Sequence, residues 1–573
     1  MAVLTKNAME ILNDRYLLRD NKGIIVETAD QLFTRVAKFV ASADAGQALN
    51  FEKPFLKVMQ DLDFLPNSPT LMNAGTTNGQ LSACFVLPVD DSLENIFTTL
   101  KNAALIHQSG GGTGFNFSRL RPKNDIVSSS GGTSSGPIAF IKIFDAATEY
   151  VKQGGKRRGA NMGILNIDHP DIEEFISSKS HQNELENFNI SVGITDDFMK
   201  DVNEDRDWKL INPRTKKMVR KVKAKQLWKQ IVKEAWKTGD PGLLFLDTIN
   251  RSNPTPNLGN IESTNPCGEV PLLDYESCNL GSLNLSHMLT KNSTGYVVDW
   301  NKLALTISIA VRFLDNIITV NHYLLDRTAS IAKTNRKIGL GVMGWAEMLI
   351  ELNIPYASQP AIDLGEKLMK FIKEKSYETS AKLAQVKGTF PSWPNSHIDH
   401  TIPLRNATCN SIAPTGTISV IADTSYSIEP LYALAYKRVG ILGGKTQIEV
   451  NKLFQQKMKS LGFWDQDLKN MVTDKGSIKT ADKIPEKIKN LFETSLEIPW
   501  KYHLEHQRVF QKYTDNAVSK TINLPKKTTE KEISDIYRTA WKYQLKGITI
   551  YRNGSRDEQV LQKCNYNTVN DCQ

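Results

Sequence analysis

The chain has 573 residues, 71 Lys and Arg against 62 Asp and Glu, a formal net charge of +9, and 40% apolar and 23% charged residues. That is ordinary globular usage, which excludes collagen-like, coiled-coil and wholly disordered chains. Six cysteines in this length are too few for a disulfide scaffold. The basic residues are interleaved with acids, as in Lys225, Lys229, Lys233 and Glu234. The charge excess therefore reads as a solvated surface, and no nucleic-acid partner is expected. Local exceptions are Lys156-Arg157-Arg158 and the Arg119/Arg121 pair.

In chain order, the N-terminus carries Lys6, Asp14 and Arg15 where a signal peptide needs an apolar run. No window approaches a continuous apolar span, so no membrane partner is expected and the chain reads as cytoplasmic, with reduced thiols. A helical lead-in over 1–66 precedes an α/β unit over 67–555, and a polar tail occupies 556–573. Gly-rich stretches at Ser109–Gly114 and Gly154–Ala160 read either as ligand-binding loops or as exposed turns. Spacing predicts a helix near Lys223–Lys237, with Leu227, Trp228, Ile231, Val232, Ala235 and Trp236 on one stripe and Gly239 and Pro241 as stops. Leu243–Leu246 reads as a buried strand, Lys302–Val320 as a buried helix, and Thr408–Val420 and Gly547–Tyr551 as strands. Gly339–Gly344 matches GxGxxG but follows Thr334–Lys337 rather than an apolar strand, so it reads as a place of close backbone packing.

The most informative segment is Asn265-Pro266-Cys267-Gly268-Glu269. Pro266 disfavours a helix, and in an extended segment Asn265, Cys267 and Glu269 share one face. A carboxylate beside a thiol opposes thiolate formation, so a thiol acting through its S–H bond, with Glu269 as a separate base, fits better than Cys-protease chemistry. The same segment also reads as a loop with a buried Cys and a capping Glu. Cys84 and Cys278 have no CxxC spacing and no clustered His, so no metal on protein side chains is expected. Ala413–Ser419 lacks the Lys of a Walker A loop; it reads as a phosphate cradle without hydrolysis, or as a plain turn.

Taken together, NSPTLMNAG, LSACFVLPVDDSLENI, GGGTGFNFSRLRP, GGKRRGANMG, NPCGE, SCNLGSLNL, RNATCNSIAPTGTIS and ITIYRNGSRDEQVL, in that order, resemble the ribonucleotide reductases from about Arg15 to Leu561. The likeness is to the class II, adenosylcobalamin-dependent branch. The resemblance implies a ten-stranded α/β barrel of two five-stranded parallel halves with a central finger loop, after an N-terminal helical lead-in. It implies Cys267 as the thiyl radical that takes the ribose 3′-hydrogen, Glu269 as the base for the 3′-hydroxyl, Asn265 on the ribose hydroxyls, and Cys84 with Cys278 as the reducing dithiol. Substrate contacts carry over to Ser68, Ala83, Gly112 and the turn Pro414, Thr415, Gly416, Thr417 and Ile418. The deoxynucleoside triphosphate effector carries over to Asp91 and Arg121, with Lys156, Arg157 and Arg158 in the loop that relays its identity. Adenosylcobalamin is implied as cofactor, a homodimer as the assembly, diphosphates as substrates, and a thioredoxin- or glutaredoxin-type protein as reductant.

Two departures separate the chain from the class I large subunit. Tyr551 stands alone where that class has a tyrosine pair, and no room is left before the core for a regulatory ATP cone, so inhibition by dATP is not expected. Cys564 and Cys572 read as a tail shuttle to the dithiol or as the remnant of a shortened domain. Cys409 reads as a packed small apolar residue. The alternatives are a class I-type large subunit needing a metal-radical partner, and an inactive nucleotide-binding regulator.

Overall fold

The N-terminal layer forms because its apolar residues recur at helical spacing. Helix α1 (Ala29–Ala41) opens on a capping box between Thr28 and Gln31 and turns Leu32, Phe33, Val36 and Val40 inward. Helix α2 (Ala48–Gln60) packs against it with Phe55, Val58 and Met59. The computed structural model describes residues 3–44, 46–127, 131–151, 159–180, 184–441 and 445–555, with backbone alone for 436–441 and 445–449.

From there the chain enters a sheet that joins ten strands. Strand β1 (Phe64–Pro66) leads through helix α3 (Ser68–Asn73) to β2 (Cys84–Val86), helix α4 (Leu93–Gln108), β3 (Gly112–Asn116), helix α5 (Pro137–Tyr150), β4 (Asn161–Asn166) and β5 (Phe188–Ile194). Helix α6 (Ala224–Thr238) then precedes β6 (Gly242–Phe245). The helix and the strand stand where the sequence puts them. The five strands β2 to β6 run parallel in that order. A short hairpin follows, β7 (Ser263–Thr264) against β8 (Pro271–Leu272).

The second half begins with β9 (Ser277–Asn284), helix α7 (Trp300–Val320) and β10 (Ile338–Met343), which lies parallel to β9. After helix α8 (Gln359–Lys387), single parallel bridges, Leu340 with Asn410 and Ile412 with Val518, carry the sheet across 408–413. It continues through β11 (Thr521–Leu524) to its parallel neighbour β12 (Gly547–Arg552). Two antiparallel seams close the ring: β9 on β2, with Cys278 opposite Cys84, and β6 on β12, with Leu243 opposite Ile548. With 408–413 counted as a strand, this is the ten-stranded barrel of two parallel halves, and β1 is an antiparallel addition to β9.

The predicted strand Thr408–Val420 is corrected. Pro414 ends the bridging, Thr415 turns out of the sheet at φ +58°, and the Ser419 amide bonds to the Thr415 carbonyl at the start of a one-turn helix over Ile418–Ile421. Gly339 and Gly341 lie inside β10, and Cβ atoms there would stand 2.3 Å from Leu280 Cδ2 and 2.3 Å from the Ser411 carbonyl. That is the close packing read from GxGxxG. Helix α7 is long and apolar enough to cross a membrane by length and composition, with a mean hydropathy of 1.7. Its Ile307, Val311, Leu314 and Ile317 are nevertheless buried in the core against α1, α8 and β9.

Strand β3 positions the hairpin. A Cβ on Gly114 would lie 1.7 Å from the Thr264 carbonyl, and one on Gly112 would lie 2.9 Å from Pro266 Cγ. The hairpin therefore crosses the barrel directly over backbone. Gly114→Ala is expected to lower stability by about 1–3 kcal/mol and to abolish turnover by displacing the hairpin. Gly416→Ala, where a Cβ meets nothing within 4 Å, should stay within about 0.5 kcal/mol of wild type. Urea titration with a parallel activity assay checks both.

Candidate active site

The tip of the hairpin, Asn265 to Val270, is a tight turn and not the extended segment predicted. The Gly268 amide bonds to the Asn265 carbonyl at 3.1 Å, and Gly268 takes φ +81°. The expected common face is therefore corrected: the turn puts the Cys267 side chain in an exposed position while Asn265 and Glu269 are buried. Both barrel halves hold the tip. Asn189 Nδ2 in β5 donates to the Pro266 carbonyl at 2.8 Å, and Ser411 Oγ and the Ala517 amide each donate to the Glu269 carbonyl at 2.8 Å. At the base, Arg119 binds Glu262 and Asp274, which flank the hairpin, and also Asp90. This basic residue is given over to carboxylates.

Asn265 organises the interior side. Its Oδ1 accepts from the Val270 amide at 3.0 Å and from Thr264 Oγ1, leaving its Nδ2 to donate to Cys84 Sγ at 3.1 Å. Cys84 faces Cys278 across the antiparallel seam, so residues 194 positions apart in sequence become neighbours. Burial pushes both thiols well up, and the Glu269, Cys278 and Cys267 charges add to the effect on Cys84. Both thiols thus stay protonated at neutral pH. Beside Cys278, Glu276 and Lys337 form a fully buried ion pair at 2.7 Å, with Asn335 Nδ2 on the other carboxylate oxygen.

Glu269 is the buried carboxylate of the tip. Burial raises it to about 7, with an opposing hydrogen bond from Asn265, and among the described residues its Oε2 has no hydrogen-bond partner. An orphaned buried acceptor beside a dithiol is a place for a substrate donor.

The other predicted residues fall around this centre. Ser68 Oγ bonds Tyr16 OH at 2.7 Å at the start of α3. Ala83 spends its amide on the Cys278 carbonyl and its carbonyl on the Gly112 amide, so both belong to the sheet ladder. Gly112 packs on Pro266. Thr415 Oγ1 accepts from the Ser427 amide at 2.8 Å, and Pro414 lines a cavity that also reaches Cys267. Asp91 and Arg121 pair with each other at 2.8 Å just ahead of α4. Cys409 is fully buried, its amide on Asp515. Lys156, Arg157, Arg158, Cys564 and Cys572 lie outside the described residues. Sequence reasoning missed Asn189, Ser411 and Ala517, which act through tertiary contacts. It also missed Gly114, which the run of glycines in GGGTG could have flagged.

The cavity beside Cys267 has a volume of about 520 Å³. Its walls include Tyr426, Pro430, Tyr432 and Tyr551, but not Asn265, Glu269, Cys84 or Cys278. The tip thus stands between an open cavity and a buried interior that holds Glu269, Cys84 and Cys278.

An exposed thiol at a hairpin tip, inside a two-halved barrel and near two facing buried cysteines, is the arrangement the family resemblance leads one to expect. Comparison with known proteins agrees. The description "Ribonucleotide reductase, barrel domain" matches residues 82–404 and 399–551, and "Ribonucleotide reductase, all-alpha domain" matches residues 2–79. The chain belongs to the ribonucleotide reductase family. It is 48% identical to a vitamin B12-dependent ribonucleoside-diphosphate reductase of Thermoplasma acidophilum, over 97% of this chain and 80% of the relative. A protein of the same name from Mycobacterium tuberculosis is 45% identical, with the same coverage of both chains. In fold, the chain is similar to the class Id ribonucleotide reductase alpha subunit of Actinobacillus ureae, with a TM-score of 0.79 at 23% identity over 96% of this chain and 97% of that one.

The raised Glu269 carboxyl has a thermodynamic consequence. Its folded value, about 7, stands above the ordinary 4.5. Stability is therefore full below 4.5 and falls as pH rises to 7, because the unfolded chain ionises first. Glu269→Gln is expected to gain about 3 kcal/mol over wild type at pH 8 relative to their difference at pH 4.5. Urea unfolding of both proteins at the two pH values measures it, and a pH-independent difference overturns the assignment.

Proposed function

We propose that this chain reduces ribonucleoside diphosphates to 2′-deoxyribonucleotides for DNA synthesis, working with adenosylcobalamin. The observation that carries this reading is the Cys267 tip set between an open cavity and the Glu269–Cys84–Cys278 interior. The B12-dependent relatives at 48% and 45% identity support the cofactor.

The cavity suits the cofactor's chemistry. It adjoins the exposed Cys267 thiol and combines the tyrosine and proline walls with the polar side chains of Ser495, Gln507, Asn523 and Thr549. Bound there, adenosylcobalamin would supply the radical chemistry that converts the Cys267 thiol to a thiyl. The Cys267 thiyl then takes the ribose 3′-hydrogen. Glu269 Oε2 accepts the 3′-hydroxyl proton while Asn265 orients the ribose hydroxyls. The 2′-hydroxyl leaves as water, and Cys84 and Cys278 supply two electrons and two protons, ending as a disulfide. The 3′-hydrogen returns from Cys267, so the thiyl is regenerated. Excluding water from this interior protects the radical.

Ser68, Ala83, Gly112 and Pro414 to Ile418 form the substrate wall in this reading, with the phosphates at the Thr415 turn, where among the described residues Gly416, Thr417 and Ile418 spend no amide on an internal acceptor. Asp91 and Arg121 take the effector, with the 156–158 loop as its relay and Cys564 and Cys572 passing electrons from a thioredoxin-type reductant. That recycling places the enzyme in a reducing cytoplasm. Helices α4 and α5 leave Leu93, Phe97, Leu105, Ile143 and Tyr150 exposed, an apolar face suited to a second copy. The division into a helical lead-in over 1–66, a catalytic barrel over 67–555 and a cysteine tail over 556–573 belongs to the same reading.

The purified chain with adenosylcobalamin, dithiothreitol, Mg²⁺ and mixed deoxynucleoside triphosphates is expected to convert CDP to dCDP with no second subunit. Cys267→Ser, Cys84→Ser and Cys278→Ser should each end product formation under multiple turnover. Product that appears on addition of a metal-radical subunit alone would overturn the cofactor. In sedimentation, wild type should run as a dimer and Phe97→Asp as a monomer; equal behaviour removes the α4–α5 interface.

A further inference from the structure

The walls of the Cys267 cavity carry three charged side chains: Asp240, Glu429 and Lys520. Asp240 is committed to Lys179 at 3.0 Å, with its side chain only 9% exposed. Glu429 differs. Its side chain is 21% exposed, and it is held rigidly from behind. The Thr521 amide donates to Oε1 at 2.8 Å, and the wholly buried Lys520 ammonium donates to Oε2 at 2.5 Å.

Lys520 has no freedom to do otherwise. Its remaining donors go to His503 Nδ1 at 3.1 Å and the Thr521 carbonyl at 3.4 Å. His503 in turn gives its Nε2 proton to the Ser495 carbonyl at 3.0 Å, which leaves Nδ1 as the acceptor. The network ends on a carboxylate with lone pairs to spare, fixed in the wall of the cavity that reaches the thiol.

Lys179 offsets Asp240 and Lys520 offsets Glu429, so this wall offers no free cation to a polyphosphate. The carboxylates suit an uncharged ligand rich in hydroxyl donors, and a carboxylate on a ribose diol is a recurrent recognition pair. The volume of about 520 Å³ accommodates a nucleoside and excludes a corrin. We propose that Glu429 anchors the adenosyl ribose of the cofactor, accepting hydrogen bonds from its two hydroxyls, with Lys520 as the positioning residue behind it. The proposal rests on the cobalamin reading above.

The test is equilibrium dialysis of the full chain against adenosylcobalamin and against hydroxocobalamin, which lacks the nucleoside ligand on cobalt. Glu429→Gln is expected to weaken adenosylcobalamin about tenfold or more while hydroxocobalamin is unchanged, since hydrogen bonds to a charged acceptor are lost in the first alone. Glu429→Gln/Lys520→Met, which removes both charges together, keeps the test open if the single variant leaves Lys520 unpaired and the protein unfolded. Equal loss for both cobalamins, no loss for either, or a raised KM for CDP with unchanged adenosylcobalamin affinity overturns the proposal. Wild type that binds neither cobalamin defeats the cofactor reading itself, and this one with it.

Discussion

The whole arrangement depends on a hairpin lying across the middle of a barrel, and that crossing is possible because Gly114 has no side chain. The Thr264 carbonyl occupies the space a Cβ would need, 1.7 Å from its position. Once over β3, the tip is held by donors from opposite halves: Asn189 on the Pro266 carbonyl, Ser411 and Ala517 on the Glu269 carbonyl. The tip is a strut between the halves, so its side chains sit at positions the barrel as a whole decides. That rigidity is what a reaction sensitive to small displacements requires.

The second organising force is desolvation. Burial raises the Cys84 and Cys278 thiols and the Glu269 carboxyl together. All three shifts favour neutral forms, which suits a site that moves hydrogen atoms and protons rather than one that attacks with a thiolate. The charges retained inside are paired, Glu276 with Lys337 and Arg336 with Asp315. Unpaired charge at that depth would be costly.

These two features divide labour at the tip. Cys267 lines the open cavity, while Asn265, Glu269, Cys84 and Cys278 are buried behind it. A single turn of chain, closed by the Gly268 amide, connects the two. The Glu429–Lys520–His503 network gives the open side a fixed polar group of its own.

Local pattern was enough for helix α6, the buried helix α7, strands β6 and β12, and the family resemblance carried by NPCGE and SCNLGSLNL, because periodicity and short motifs are properties of neighbouring residues. It failed where geometry turns on one residue. Alternation along Asn265 to Glu269 predicted a shared face, but the turn closed by the Gly268 amide separates Cys267 from the other two. The apolar run after Thr408 suggested a strand, but Pro414 and the φ of Thr415 redirect it. Cys84 opposite Cys278, the orphaned Glu269 oxygen and the clamp on the tip arise from strand register and closure of the ring. The sequence by itself determined which chemical groups this protein carries and which segments are helix or strand. The tertiary structure alone decided which groups meet and which are dry, since strand pairing and burial are set by residues hundreds of positions apart.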